Sequence, residues 1–149
     1  MGKVFKIGIC KNSGDKIYLV NEVDAVAGKG LVNDRKYKDN NQKECQITLI
    51  EIENINYFNN LSKESISPEN FRRNIITEDI KLNELIGKEF FVGNVKLKGH
   101  DLCRPCKYLQ EKLKKNNFIK EFLRKGGLRC EILSSGKISI DDIIRIYND

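Results

Sequence analysis

The chain has 149 residues, 40% hydrophobic and 32% charged, with a formal net charge of +6 and a pI near 9.0. That length supports one domain with a real core, residues 1–149, and the composition excludes a disordered chain. No apolar run approaches the roughly 20 residues needed to span a bilayer, so no membrane partner is expected.

Val4 to Cys10 reads as a strand and Ile17 to Val26 as another, with Gly14-Asp15 as the turn between them. Gly28 to Tyr37 is a glycine- and charge-bearing loop, and Asp39 to Gln42 a polar tip. Ile47 to Ile50 is a short apolar run. It passes into Glu51–Leu61, where Ile52, Ile55, Tyr57, Phe58 and Leu61 recur as a rough helical stripe. Ser67 to Asn70 is a turn or helix-start signal, and Phe71 to Thr77 is expected to be extended. Leu82 to Ile86 is a short turn closed by Gly87. Glu89–Val92 and Val95–Leu97 flank Gly93-Asn94 as a hairpin. A helical pattern follows from Cys106 to Lys125, ended by Gly126-Gly127. Leu128–Leu133 and Lys137–Ile140 suggest a second hairpin, and Ile143 to Tyr147 a last strand. Many short strands with few long helices predict a mainly β, barrel-like fold with a few peripheral helices.

The five cysteines are Cys10, Cys45, Cys103, Cys106 and Cys130. The odd number, and a start lacking a secretory h-region, argue against a disulfide framework and for a cytoplasmic protein. Cys10, Cys45 and Cys130 lie in apolar runs and read as buried small hydrophobes. The positive charge suits an anionic partner, but much of it lies between Lys107 and Lys125 and reads as a solvated helix face. Charge alone supports nucleic-acid binding and no motif does, so no nucleic-acid partner is expected.

Chemistry concentrates at Cys103-Arg104-Pro105-Cys106-Lys107, where strand gives way to helix. Nearby cations and a helix N-terminus both favour thiolate. Three readings compete. A thioredoxin-like redox dithiol needs a later proline facing the thiols, and the chain's prolines are Pro68 and Pro105 only. Structural zinc needs four ligands, and His100, Cys103 and Cys106 would have to recruit distant Cys130 or Cys45. The third is a single functional thiolate, Cys106 or Cys103, binding a soft metal or carrying sulfur.

The chain resembles the MOSC domain family, found at the C-terminus of molybdenum cofactor sulfurases and as small stand-alone bacterial proteins. Gly30 to Tyr37 is similar to the family's early G-L-x-G-D-R loop, followed by Ile47–Ile50 and Glu53. Phe71 to Ile75, Leu82 to Gly87 and Phe91 to Gly93 resemble later segments. Leu102 to Cys106 resembles the block that supplies the key cysteine, which falls on Cys106. Gly126 to Arg129 and Gly136 to Asp142 resemble the closing hairpin. Asn33 and Asp141 stand where glycine is usual, and both residue types tolerate positive φ.

The resemblance implies a β-barrel fold and molybdenum cofactor (molybdopterin) binding or sulfur carriage. Cys106 would be the metal ligand or sulfur carrier, and Cys103 a second thiol that resolves a persulfide or simply packs. Arg72, Arg73, Asn74, Arg104 and Lys107 are the candidate cofactor-binding residues. Reduction of N-hydroxylated substrates would need a borrowed electron donor. The partners implied are cofactor-biosynthesis or electron-donor proteins. A non-catalytic cofactor carrier or interaction module is the alternative, and pyridoxal phosphate is not assigned. Asp34 and Arg35 are expected to form an ion pair that shapes the loop below the site.

Overall fold

The computed structural model describes residues 2–104, 111 and 124–146. Seven strands close into a barrel. They are β1 (Gly2–Ile9), β5 (Ile47–Glu51), β6 (Ile75–Glu78), β7 (Glu89–Val92), β8 (Val95–Leu102), β9 (Leu128–Ile132) and β11 (Ile143–Ile146). Their order round the barrel is β11-β7-β8-β9-β5-β6-β1, and β11 pairs back onto β1. All neighbours are antiparallel except β5 and β6. β2 (Tyr18–Val20) extends the sheet beyond β1. β3 (Glu22–Val26), β4 (Gly30–Leu31) and β10 (Gly136–Ser139) form a separate small sheet, ordered β10-β3-β4.

Alternation sets the faces. In β9, Leu128, Cys130 and Ile132 are buried while Arg129 and Glu131 are not. In β8, Val95, Leu97 and Gly99 point in and Lys96, Lys98 and His100 point out. The inward set joins Val4, Ile7, Ile47, Leu49, Phe90 and others in one core, which the small sheet completes with Val23, Ala25, Leu31 and Ile138. β5 and β6 are buried on both faces, as a parallel pair covered by another layer must be. Their second face meets helix α1 (Ile52–Ser62), whose Ile52, Ile55 and Phe58 pack with Ile50, Ile66, Phe71 and Ile76. Phe58 and Phe71 meet edge to face at 5.8 Å. Tyr57 and Leu61, also in the expected stripe, are exposed.

Four local expectations change. The strand expected over 17–26 is divided at Asn21 into β2 and β3, which join different sheets. The hairpin expected from 128 to 140 does not form: β9 pairs β8 and β5, whereas β10 crosses to β3. Both changes have one cause, because the chain leaves the barrel twice to build the small sheet, and strand periodicity carries no partner information. The segment expected to be extended from Phe71 breaks at Arg72, which has φ 62, and the strand begins at Ile75. Cys45 is only partly buried, at the end of a 3-10 turn, while Cys10 and Cys130 are buried. Asn33 and Asp141 both adopt φ 72, so each occupies the left-handed turn position that glycine would fill.

Candidate functional site

A cavity of about 210 Å³ opens on the outside of the barrel, lined by Lys36, Thr48, Arg73, Cys103, Arg104 and Arg129. Strand register builds it. Thr48 on β5 sits directly opposite Arg129 on β9, and both point outward because their neighbours Ile47, Leu49, Leu128 and Cys130 point inward.

Cys103 reaches this wall through a register shift in β8. Gly99 pairs with Cys130 but Asp101 pairs with Arg129, so β8 carries one extra residue, His100. Unbroken alternation would group Cys103 with the inward Val95, Leu97 and Gly99. The bulge reverses the parity, turning Leu102 toward the core and Cys103 to the cavity. Gly99 marks the spot: a Cβ there would lie 2.3 Å from the Leu85 carbonyl oxygen.

Arg73 is nearly buried and acts as a brace. Its Nε donates to the Gly126 carbonyl at 2.8 Å and its Nη2 to the Arg104 carbonyl. It thereby ties both ends of the excursion between β8 and β9. The Cys103 amide adds a 2.7 Å bond to the Gly127 carbonyl. Gly127 has φ +112 and passes so close to β5 that a Cβ would lie 2.2 Å from the Leu49 oxygen.

Asn74 is a buried hub rather than a cavity wall. Its Oδ1 accepts from the Thr48 amide at 3.1 Å, and its Nδ2 donates to the Gly8 carbonyl at 3.2 Å and to Asp34 Oδ1 at 3.4 Å. Thr48 Oγ1 is within 3.2 Å of Asn74 Oδ1 and accepts from the Asn74 amide at 3.0 Å, so its hydroxyl is fully engaged. Among the described residues Asp34 forms no ion pair with Arg35. Its carboxylate instead accepts from the amides of Cys10 (2.9 Å) and Lys36 (3.3 Å).

The electrostatics are one-sided: four lining residues are cationic and none is acidic among the described residues. Burial pushes the Cys103 thiol above its ordinary pKa, while Arg73, Lys36 and Arg129 pull the other way and Asp101 adds to the rise. Cys103 therefore keeps its proton at neutral pH. Burial pushes Cys130 up further, with Cys103 adding to it. The Lys36 side chain retains solvent access, yet the protein around its ammonium lowers its pKa. Arg35 and Arg73 add to the lowering, while Cys103 and Asp34 oppose it. Asp101 is held below the usual carboxylate range by its 2.9 Å bond from Arg129 Nη2 and by the Leu102 amide. Arg129 Nε is buried with no acceptor among the described residues. Such an orphan donor costs on the order of 1–3 kcal/mol unless something fills it.

Of the residues singled out from sequence, Cys103, Arg73 and Arg104 converge here. Cys106 and Lys107 lie outside the described residues. Arg72 points elsewhere: its Nη1 donates to the Asp15 carbonyl at 3.1 Å and its Nη2 lies 3.7 Å from Cys10 Sγ. His100 pairs with Glu131 at 2.9 Å, and among the described residues no three His, Cys, Asp or Glu side chains cluster to hold a metal ion. Lys36 and Arg129 were not anticipated. A cation between two apolar residues, Leu128-Arg129-Cys130, is the pattern that marks Arg129 as a wall residue. No comparable local signal marks Lys36.

The MOSC domain model matches residues 34–145, and the chain belongs to this family. No curated protein matches the sequence. The fold is similar to that of the YuaD protein from Bacillus subtilis, with TM-score 0.80 and 19% identity over 99% of this chain and 98% of that one. YiiM from Geobacillus stearothermophilus gives TM-score 0.76 and 14% identity, covering 99% of this chain and 76% of that one. YiiM from Escherichia coli gives 0.66 and 17%, covering 99% and 69%. At these identities the likeness shows the fold.

Proposed function

We propose that this MOSC domain handles molybdenum cofactor, or sulfur destined for it, at the cavity where β8 ends. The observation that carries the reading is a thiol-bearing wall surrounded by Lys36, Arg73, Arg104 and Arg129. The residues fit an anionic, sulfur-rich group, because the cavity offers cations, no opposing carboxylate and one buried donor without an acceptor among the described residues. Bound there, the cofactor would supply oxo-transfer chemistry.

The chain's own residues divide the work. Arg104 and Arg129 supply positive charge at the wall, and Arg73 fixes the backbone on both sides of the segment that carries Cys106. Cys103 keeps its proton and packs against the cavity. This supports Cys106 as the sulfur that ligates or carries, and it weakens a redox-dithiol reading. In the same proposal the partners are cytoplasmic proteins that load the cofactor or donate electrons.

The test is to purify the protein from a host that makes the cofactor and to measure molybdenum and pterin. Wild type should carry both, and Cys106→Ser should lose the metal with its circular dichroism unchanged. Equal metal in the two would remove the thiolate role. Turnover of an N-hydroxylated base with an added electron donor would make the protein a reductase. Retained cofactor without turnover would make it a carrier.

A further inference from the structure

We propose that the free edge of β2 is a docking surface for a second copy of this chain, the two β2 strands pairing antiparallel about a two-fold axis at Tyr18. The inference is independent of the cofactor reading and uses none of the residues around Cys103.

The phase of the ladder shows which backbone groups are free. Gly8 turns its backbone toward β6: its amide donates to the Asn74 carbonyl at 2.6 Å, and its carbonyl accepts from Asn74 Nδ2 at 3.2 Å. Backbone groups alternate in direction along a strand, so Ile7 and Ile9 face β2 and bond their register partners Val20 and Tyr18. Ile17 and Leu19 then point their N–H and C=O groups away from β1. Among the described residues no strand lies beyond β2. The free stretch ends at Asn21, whose carbonyl accepts from the Ile140 amide at 3.0 Å. Edge strands are usually blunted by lysine, proline or a bulge. This one displays Tyr18 and Leu19, 57% and 45% exposed.

One register satisfies these groups. An axis at Tyr18 sets Ile17 of each copy opposite Leu19 of the other. Both residues belong to the outward-pointing phase, so the two pairs exchange four hydrogen bonds and leave none of these groups over. Tyr18 meets its own copy as a close, non-hydrogen-bonded pair, the arrangement in which cross-strand aromatic contacts are strongest. The ladder also stops short of Ile140. An axis at Leu19 would instead press Ile17 of the second copy onto Asn21, where Ile140 already sits.

Charge selects a second copy over an unrelated peptide. In this register Lys16 falls opposite Val20 of the other chain. Val20 lines a cavity of about 230 Å³ together with Glu22, Asp24 and Lys137. Lys137 is tied to Glu22 at 3.5 Å, which leaves one negative charge in excess. Lys16 is exposed and in no ion pair among the described residues, so the two-fold axis delivers an unused cation to each cavity. A ladder this short buries less than the roughly 800 Å² per partner of a standard interface, so the dimer is weak and its population follows concentration.

Sedimentation velocity on the intact chain, from about 10 to 500 µM, reads the association over the range a small interface calls for. Wild type should pass from monomer toward dimer. Leu19→Pro removes one outward N–H, a change that an edge strand tolerates, and should weaken association about tenfold or more with circular dichroism unchanged. Lys16→Glu should weaken it too, and Lys16→Glu combined with Glu22→Lys should recover it. If Leu19→Pro fails to fold, Lys16→Glu carries the test, because its side chain is exposed. A monomer at every concentration overturns the proposal. So does a dimer that both single variants leave at wild-type affinity.

Oxidative cross-linking reads the register. Tyr18→Cys sets two thiols across the axis on Cα atoms about 4.5 Å apart, within disulfide reach. Leu19→Cys faces Ile17 of the second copy and has no thiol opposite it. Tyr18→Cys should therefore cross-link well above Leu19→Cys and above wild type, whose partly buried Cys45 sets the background. Equal yields at positions 18 and 19 overturn the axis at Tyr18.

Discussion

Asn74 shows how a residue chosen for chemistry turns out to serve architecture. Its amide joins β1 through Gly8, β5 through Thr48 and the turn at Asp34, all in a buried setting. Asn74→Ala strands several of these groups at once, and urea denaturation should show a loss of about 2–4 kcal/mol. The thiols give a pH signature. Cys103 and Cys130 both fold with raised pKa values, so their contribution is complete below the ordinary thiol value of 9.0 and fades as pH rises through it. In that range the unfolded chain releases protons that the folded chain retains. Lys36, whose pKa is lowered, acts in the opposite sense, but its side chain is solvent-exposed and the two thiols are buried. Stability should therefore fall above about pH 9, as denaturant midpoints across a pH series would register, and Cys103→Ala should flatten the fall.

Elements place these residues by small departures from regularity. The extra residue at His100 reverses the facing of everything after it in β8, and this turns Cys103 to the cavity. The tight approach of Gly127 to β5 lets β9 begin where Arg129 can face Thr48. Gly127→Ala forces a Cβ into the Leu49 carbonyl at an unfavourable positive φ. It should cost about 2 kcal/mol or more in thermal or urea denaturation. Arg73→Met should release both carbonyls at the ends of the excursion between β8 and β9. The expected result is faster amide exchange at Arg104 and Gly126, with the barrel intact by far-ultraviolet circular dichroism. Faster exchange across the whole barrel would count against a local brace.

At the scale of the molecule, closure governs behaviour. β1 and β11 meet with Gly2 opposite Ile144, so the first and last strands must find each other before the barrel exists. Such non-local pairing predicts refolding in about milliseconds to seconds rather than microseconds, readable by stopped-flow fluorescence of the tyrosines. Ile144 is 2% exposed in the shared core. Ile144→Ala should therefore cost about 2–4 kcal/mol and loosen both ends of the chain together.

Strand periodicity, turn residues and family motifs were legible along the chain, because alternation and positive φ are local properties. The β7–β8 hairpin, the α1 stripe and the turns at Asn33 and Asp141 all belong to that category. The pairing of β10 with β3, the bulge that redirects Cys103 and the spending of Arg73 on backbone carbonyls do not. Each depends on which strands lie side by side, and hydrogen-bond partners distant in sequence leave no periodic trace. The chain by itself determined a mainly β MOSC domain with a basic, thiol-bearing corner. Only the tertiary structure decided which cations remain free to act there, because a guanidinium already bonded to carbonyls has fewer donors to offer than one whose Nε is buried without an acceptor among the described residues.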